Sequence, residues 1–362
     1  MVSGLSVDAV IERIADLQST GDRWFPTGLF AAYRSNATLR YYRPDTNVFF
    51  TAITVFTLQQ LRPHVSPTAQ QRIEQIWQRA VRTYPLFRNK DGLLTYNFWP
   101  TRPSQHFSNG YLFRHFDHFR IPDDIDDTAM VYLTTSPTTD EVAWLQTKLG
   151  QHANLSQRMI RNTYGDYQTL RAYSTWFGKT MGIDFDACAM SNLLYCLFQY
   201  DRPRDQHVTD TLIYLRSVVE TGRYRAEPFR CAPHYARPSL ILYHLARLMA
   251  AFQPPELEPV RAQLIKDAQH LVERATNRLE QLVLTTTLLR LGQTDNPSVD
   301  LEHIEQAFGD FHFFIAGLLT AYEHPLLRRL ADRPLVHMRW QCEAHCWALV
   351  AEYMVVERLS SS

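Results

Sequence analysis

The stretch of the chain with the clearest potential for chemistry is an acidic cluster at residues 123–127. It places Asp123, Asp124, Asp126 and Asp127 close together, in a chain whose 37 basic and 37 acidic side chains otherwise balance. Like charges this close repel one another, so we expect at least one carboxyl to keep its proton near neutral pH. Capping of a surface helix is the alternative, which the apolar neighbouring sequence disfavours. Acid–base catalysis is therefore the first hypothesis.

Aromatic residues are concentrated in the segment that leads to this cluster. Residues 85–122 show little helical periodicity and carry eight aromatic side chains between Tyr96 and Phe119. A long loop inside a compact domain is usually functional or disordered, and this composition is too aromatic for disorder. We therefore expect loop 85–122 to cover a site, with Trp99 and Phe113 as candidate substrate-binding residues.

A second group of candidates lies around a predicted helix at 186–200. Residues 188, 192 and 195 share one helical face, so their side chains are predicted to point toward the same opening, the mouth of a helical barrel. A histidine and a tyrosine just before the apolar helix at 238–252 are predicted to reach that mouth as well. The candidate binding residues of this group are Tyr173, Trp176, Cys188, Asn192, Tyr195, His234 and Tyr235.

The elements that must position these residues are helices. Hydrophobic residues recur at helical spacing through nearly the whole chain, and no sustained alternating strand pattern is found. Strongly apolar segments alternate with segments that carry charge on one face, which predicts an all-α fold, a double-layered (α/α)6 barrel. The predicted inner helices include 49–58, 186–200, 238–252 and 311–322; the outer ones include 139–149, 206–221 and 256–276; further helices are predicted at 7–17, 73–84, 127–135, 278–291, 300–308 and 340–358.

Composition limits the remaining possibilities. We predict one domain over residues 1–358, with loop 85–122 as its long loop and 359–362 as a flexible tail. A formal net charge of zero argues against a nucleic-acid binder. Five cysteines at scattered spacings indicate buried free thiols, and the absence of a signal-peptide pattern and of a bilayer-long apolar run points to the cytoplasm.

The segment from Asp124 to Met130 reads D-I-D-D-T-A-M and resembles the D-x-D-D-T-A motif of class II terpene cyclases, the group of squalene–hopene and copalyl-diphosphate cyclases. In that family the middle aspartate protonates a terminal alkene or epoxide, and the resemblance gives this role to Asp126. Asp123, Asp124 and Asp127 are then neighbours that tune its acidity. Such chemistry needs a dry acid and an aromatic wall for the carbocation. The family's (α/α)6 catalytic domain agrees with the helix pattern.

Two features depart from the family. Its bacterial triterpene and plant diterpene cyclases place the active site between two barrels, whereas 362 residues hold only one. The repeated Gln-Trp motifs of the triterpene enzymes do not occur in the sequence. The resemblance therefore implies a hydrophobic isoprenoid or prenyl diphosphate substrate, in a cavity closed by loop 85–122, a homodimer partner or a separate protein.

Three other functions use the same residues. Asp123, Asp124 and Asp127 also form D-D-x-x-D, which resembles the Mg²⁺-binding motif of class I terpene synthases and prenyltransferases, although the second ligand set of that class is not found. A glycoside-processing barrel would use the aspartates as general acid and base and the aromatic rings for stacking. A non-catalytic barrel would hold a lipid or a partner protein.

A zinc site is a further alternative. Asp186 and Cys188 resemble the zinc-ligand pair of protein prenyltransferases, another (α/α)6 family, with His234 as a third ligand. Helix capping by Asp186 beside a buried thiol is the simpler interpretation.

Overall fold

The computed structural model describes residues 5–104, 116, 120–179, 181–295, 298–317, 319 and 323–361. Within these residues the chain is mostly helical, as its periodicity predicts, with fourteen α-helices and four short β-strands. Segments that are apolar on all sides alternate with segments that have one apolar stripe. This alternation separates the buried helices from the surface helices.

Six mostly buried helices form a closed ring, in which each helix packs against the next and the last packs against the first. Helix α2 (Phe49–Leu61) illustrates why they lie inside, since eleven of its thirteen residues are buried and no face is left for water. The other five are α4 (Ile125–Thr134), α6 (Ala187–Gln199), α10 (Pro238–Phe252), α12 (Arg278–Arg290) and α14 (Glu343–Ser360).

Amphipathic helices pack against this ring from outside. In α11 (Arg261–Arg274), for example, only Leu264, Asp267 and Ala268 are buried. The other long outer helices are α1 (Val7–Leu17), α3 (Pro67–Val81), α5 (Thr139–His152) and α7 (Gln206–Glu220), and the short ones are α8 (Arg223–Ala226), α9 (Pro228–Cys231) and α13 (Pro325–Ala331). No helix among the described residues has the length and apolarity that a bilayer crossing requires.

A four-stranded antiparallel sheet contradicts the expectation of a chain without strands. Its strands are β1 (Tyr33–Asn36), β2 (Tyr41–Pro44), β3 (Phe314–Gly317) and β4 (His337–Gln341). They are ordered β2-β1-β4-β3, so segments from the two ends of the chain meet at its centre. Trp340 of β4 lies opposite Arg34 of β1 on one side and Phe314 of β3 on the other.

Two helix predictions for the C-terminal part of the chain are wrong. The described residues 311–317 contain β3 instead of an inner helix, and 300–308 contain only a 3₁₀ turn at Ile304–Ala307. A buried apolar run has the same composition in a strand and in a helix, so periodicity alone could not distinguish them. Helix α14 continues to Ser360, so the tail predicted at 359–362 begins inside a helix.

A buried ion pair links three neighbouring helices of the ring. Glu352 of α14 accepts hydrogen bonds from Arg290 of α12 and from the hydroxyl of Tyr243 of α10, the latter at 2.6 Å. All three side chains are largely withdrawn from water. Removing one member of such a group leaves an uncompensated buried charge.

We therefore expect Glu352→Ala to lower the free energy of unfolding by about 3–5 kcal/mol, because Arg290 would stay buried without its carboxylate. Denaturant-induced unfolding measures the change. Glu273→Ala, at an exposed position of α11, is the matched control and should have almost no effect. Equal unfolding free energies for the two variants would contradict the expectation.

Candidate active site

The acidic cluster lies where an extended segment turns into α4. Residues 122–124 are extended and pair with residues 175–177 through backbone hydrogen bonds. Asp124 is the N-cap of α4, and its Oδ1 accepts the backbone N–H of Asp127 at 2.8 Å. This helix start places Asp126 and Asp127 in the first turn, with both side chains buried.

Asp126 is held by two side chains that come from other parts of the ring. Its Oδ1 accepts a hydrogen bond from Nδ2 of Asn192 on α6 at 2.6 Å. Its Oδ2 accepts one from the hydroxyl of Tyr235, just before α10, at 2.5 Å. The guanidinium of Arg247 on α10 donates to the Asn192 amide oxygen. A cation is thus connected to the carboxyl through one polarised amide, without touching it.

These contacts act in opposite directions on the acidity of Asp126. Burial raises the pKa of Asp126 above its ordinary value. The hydrogen bonds from Asn192 and Tyr235, and the charge of Arg247, lower the same pKa and offset part of that effect. The result is a carboxyl that takes up a proton more readily than an exposed aspartate does, in surroundings that also stabilise the anion left after proton transfer.

The two neighbouring carboxyls form a proton-sharing pair. Burial raises the pKa of Asp124 to about 7. Burial and the adjacent Asp124 raise the pKa of Asp127 well above its ordinary value. Asp127 Oδ1 has no hydrogen-bond partner within the described part of the chain. The expectation that repulsion keeps at least one of the clustered carboxyls protonated is supported by these directions.

Asp123 takes no part in this group. In an extended segment successive side chains point to opposite sides, so Asp123 points away from Asp124. Its carboxylate accepts hydrogen bonds from Asn89 at 2.5 Å, Thr95 at 2.5 Å and Asn97 at 3.3 Å. These three donors give Asp123 a structural role, in which it fixes the start of loop 85–122 beside α4.

The carboxyls open into a cavity with aromatic walls, here called the acid cavity. The cavity is narrow, with a free volume of about 30 Å³. Three carboxyls and His234 are the charged or titratable groups on its wall, and most of the remainder is aromatic or aliphatic. The lining residues are Phe49, Phe98, Trp99, Ile121, Asp124, Asp126, Asp127, Thr175, Trp176, Ala189, His234, Phe314, Ala316 and Trp340.

The sheet supplies one side of this wall. Phe314 and Ala316 of β3 and Trp340 of β4 face the cavity beside Phe98 and Trp99 of loop 85–122. Phe98 stacks on Phe314 with ring centroids 5.2 Å apart. The strands that sequence periodicity missed are therefore part of the site.

His234 belongs to a charged group next to β3. Its ring is stacked on Phe314, and its Nε2 lies 3.6 Å from Asp184 Oδ2. Burial lowers the pKa of His234, but the nearby Asp184 and Asp186 carboxylates outweigh this effect and raise the pKa overall. Burial raises the pKa of Asp184, and Arg328 together with His234 lowers it further than burial raises it.

Five of the predicted binding residues lie at the site and three do not. Trp99, Trp176 and His234 line the cavity, and Asn192 and Tyr235 hold Asp126. Phe113 lies outside the described residues. Tyr173, Cys188 and Tyr195 are buried in the core and are not among the residues that line the cavity.

The positions of Cys188 and Tyr195 along α6 explain why these two side chains do not contact Asp126. Cys188 and Tyr195 are about one turn before and after Asn192, so only the middle side chain of that face reaches Asp126. The hydroxyl of Tyr195 donates instead to Gln60 at 3.3 Å. The hydroxyl of Tyr173 donates to Asp205 at 3.4 Å.

Neither metal hypothesis is favoured by the described residues. Asp186 caps α6 by accepting the N–H groups of Cys188 at 2.9 Å and Ala189 at 3.1 Å, and its other oxygen accepts the N–H of His234 at 2.8 Å. This arrangement is the capping role expected as the simpler interpretation. No group of three or more His, Cys, Asp or Glu side chains in the described ranges has a metal-binding arrangement.

A basic cleft lies on the other side of the extended segment 122–124, here called the lysine cleft. Three of the four lysines in the chain, Lys90, Lys148 and Lys179, line it together with Arg120. Lys148 and Lys179 have no ion pair within the part of the chain that the structure describes.

The lysine cleft and the acid cavity are neighbours. Ile121 lines both, and the paired segments alternate their side chains between them. Asp124 and Trp176 face the cavity, whereas Asp123 and Phe177 face the cleft. One thin wall of backbone thus separates an acidic, aromatic compartment from a basic one.

Several residues of the site were missed from the sequence. Arg247 had a readable signal, because it is a lone charge in the otherwise apolar middle of the helix predicted at 238–252. Trp340, Phe314 and the lysines had none, since their proximity to Asp126 depends on the sheet and on pairing between distant segments.

No protein-family model, no curated protein and no solved structure matches this chain. The geometry of the two compartments is therefore the basis on which a function is argued.

The proton-sharing pair gives a test by pH. A carboxyl whose folded pKa is raised from 3.8 to about 7 favours the folded state at low pH, and this stability is lost as the pH rises between those values. Asp127→Asn replaces the carboxyl that holds its proton most strongly with a neutral amide of similar shape.

We expect the stability of Asp127→Asn, relative to the unchanged protein, to increase between about pH 5 and about pH 8, by about 1.4 kcal/mol for each pH unit of that range that lies below the raised pKa. Urea unfolding of both proteins at the two pH values measures the difference. A stability difference that does not vary with pH would contradict the shared proton.

Proposed function

We propose that the chain is an isoprenoid cyclase that starts its reaction by protonation, as class II terpene cyclases do, with Asp126 as the general acid. One observation carries the proposal. A buried carboxyl of raised pKa, held by Asn192 and Tyr235, faces a cavity whose walls are mainly aromatic. The closed ring of six helices with amphipathic helices outside it supports a double-layered (α/α)6 barrel as the architecture.

The chemistry assigned to Asp126 is transfer of one proton to the terminal alkene of the substrate. The O–H bond breaks, the alkene electrons form a C–H bond, and a tertiary carbocation faces the new carboxylate. The next alkene of the chain attacks the cation and closes a ring. Loss of a proton to solvent ends the sequence, and a proton returned to Asp126 restores the acid. Hydrogen bonds from Asn192 and Tyr235 favour the step because they stabilise the anion that it creates.

The cavity walls suit the cation that would follow. Trp99, Trp176, Trp340, Phe98 and Phe314 present aromatic surface, and ring faces attract positive charge without reacting with it. Water has to be kept out, because it would capture the carbocation. A sugar substrate would need hydrogen-bonding groups spread along the cavity, and the polar groups here are concentrated at the acidic end.

The sheet supports an account of how one barrel protects such a reaction. In class II cyclases with two barrels the second barrel completes the enclosure. In this chain β3 and β4, with Phe98 and Trp99, form part of the cavity wall. A homodimer partner or a separate protein is then not required to form that wall.

The lysine cleft supports a prenyl diphosphate as the substrate. An ionic head group needs cations in reach, and Lys148 and Lys179 line the cleft that shares Ile121 with the acid cavity. The hydrocarbon chain would enter the acid cavity with its terminal alkene toward Asp126, and the side chains of the wall would have to move apart to admit it, because the free volume is about 30 Å³. Because the acid acts at the end of the chain remote from the head group, the product would retain its diphosphate.

We expect Asp126→Asn to lower turnover of farnesyl or geranylgeranyl diphosphate by about 10²- to 10⁴-fold, because the amide has no acidic proton to give. Product analysis after phosphatase treatment, with and without Mg²⁺, measures turnover, and circular dichroism checks the fold. Asp140→Asn, an exposed aspartate at the start of α5, is the control. Retained cyclisation in Asp126→Asn contradicts the assignment, and release of pyrophosphate by the unchanged protein would favour Mg²⁺-dependent ionisation.

We expect Lys148→Gln and Lys179→Gln each to raise KM for the prenyl diphosphate by about tenfold, since each removes a charged donor to the head group. Turnover of the corresponding prenyl alcohol should not change. Lys266→Gln is the matched control, because Lys266 is the one lysine outside the cleft and is exposed on α11. An equal effect on diphosphate and alcohol would show that the cleft does not bind the head group.

A further inference from the structure

One buried carboxylate holds two of the tryptophans in the cavity wall. Asp45 follows β2 and is only 1% exposed. Its Oδ2 accepts the indole N–H of Trp99 at 3.0 Å and that of Trp340 at 2.8 Å. Trp99 comes from loop 85–122 and Trp340 from β4, so a single side chain joins two segments that are about 240 residues apart in sequence. Both rings line the acid cavity.

The charge of Asp45 is itself compensated from the sheet. Arg34 Nη1 lies 3.5 Å from Asp45 Oδ1, and Asn47 Nδ2 donates to Oδ2 at 3.1 Å. Arg34 is 2% exposed and lies opposite Trp340 in the pairing of β1 with β4. A buried carboxylate needs such partners, since without them its removal from water would be costly. The group is therefore built around the anion.

The contact with Asp45 affects both the orientation and the electron density of the two indole rings. An indole N–H has one donor and fixes the plane of its ring when it is satisfied. Donation to an anion, as distinct from donation to a neutral oxygen, also shifts electron density from the N–H bond into the ring. A ring with more electron density attracts a cation at its face more strongly.

We propose that Asp45 is a positioning residue of the cyclisation, which fixes Trp99 and Trp340 and strengthens their attraction for positive charge in the cavity. The inference rests on the proposed function for its role in turnover. The attraction itself is a property of the cavity and is measurable without turnover. Asp45 does not face the substrate and acts only through the two rings.

The test uses titration calorimetry to compare the binding of two prenyl analogues. One is a prenyl analogue with a tertiary ammonium in place of a chain carbon, which mimics the carbocation, and the other is its neutral carbon isostere. Asp45→Asn keeps the size of the side chain and one acceptor oxygen but removes the negative charge. We expect it to weaken binding of the ammonium analogue by about tenfold and to change binding of the isostere by less than twofold.

Equal loss of affinity for both ligands in Asp45→Asn would overturn the proposal, because it would mean that Asp45 only maintains the shape of the wall. Unchanged affinity for both, or no preference of the unchanged protein for the ammonium analogue, would overturn it as well. Trp340→Phe is a second variant for the case in which Asp45→Asn does not fold. It keeps the Asp45–Arg34 pair and an aromatic ring, and we expect a severalfold loss for the ammonium analogue alone.

Turnover separates this proposal from the proposed function. If the protein cyclises no prenyl substrate but shows the charge-selective loss in Asp45→Asn, the cyclase assignment fails and the role of Asp45 stands. If cyclisation occurs, Asp45→Asn should lower kcat with little change in KM and should increase products that water has captured. An unaltered kcat and product pattern would contradict the positioning role.

Discussion

Burial of three carboxyls beside aromatic rings is the constraint on which the rest of the structure depends. A carboxylate withdrawn from water needs a proton or several hydrogen-bond donors. Asp124 and Asp127 meet this need through raised pKa values, which favour their protonated forms, and Asp126 meets it through Asn192 and Tyr235. The donors come from α6 and the start of α10, so the helical ring has to close correctly before the acid is stabilised. Acidity and folding are consequently coupled in this protein.

The sequence predicted the helical part of the fold more reliably than the surroundings of Asp126. Asn192 could be placed near the mouth because helical spacing is local information. The wall formed by Phe314 and Trp340 could not be predicted, because pairing of β3 with β4 and of β4 with β1 is long-range. In addition, a buried apolar run has the same composition in a strand and in a helix. Asp123 was grouped with its neighbours since composition does not record the side to which an extended residue points.

The paired extended segments 122–124 and 175–177 position the side chains of the site, as the helices do. Alternation of side chains along them sends Asp124 and Trp176 to the acid cavity, and Asp123 and Phe177 to the compartment that the lysines line. An amphiphile with an apolar chain and an anionic head matches both compartments at once, whereas a neutral hydrocarbon or a sugar matches only one of them or neither. This division explains why lysines and aspartates lie close together here without forming ion pairs between them.

The order of strands in the sheet also bears on how the protein is made. β1 is near the beginning of the chain and β4 near its end, and the two pair directly. During synthesis the acidic cluster emerges long before β4, so for most of that time the carboxyls have no completed wall between them and water. Pairing across nearly the whole chain is entropically costly and therefore late. β4 is thus a late part of the cavity wall, and a chain shortened before residue 337 would contain Asp126 without the side of the wall that Trp340 forms.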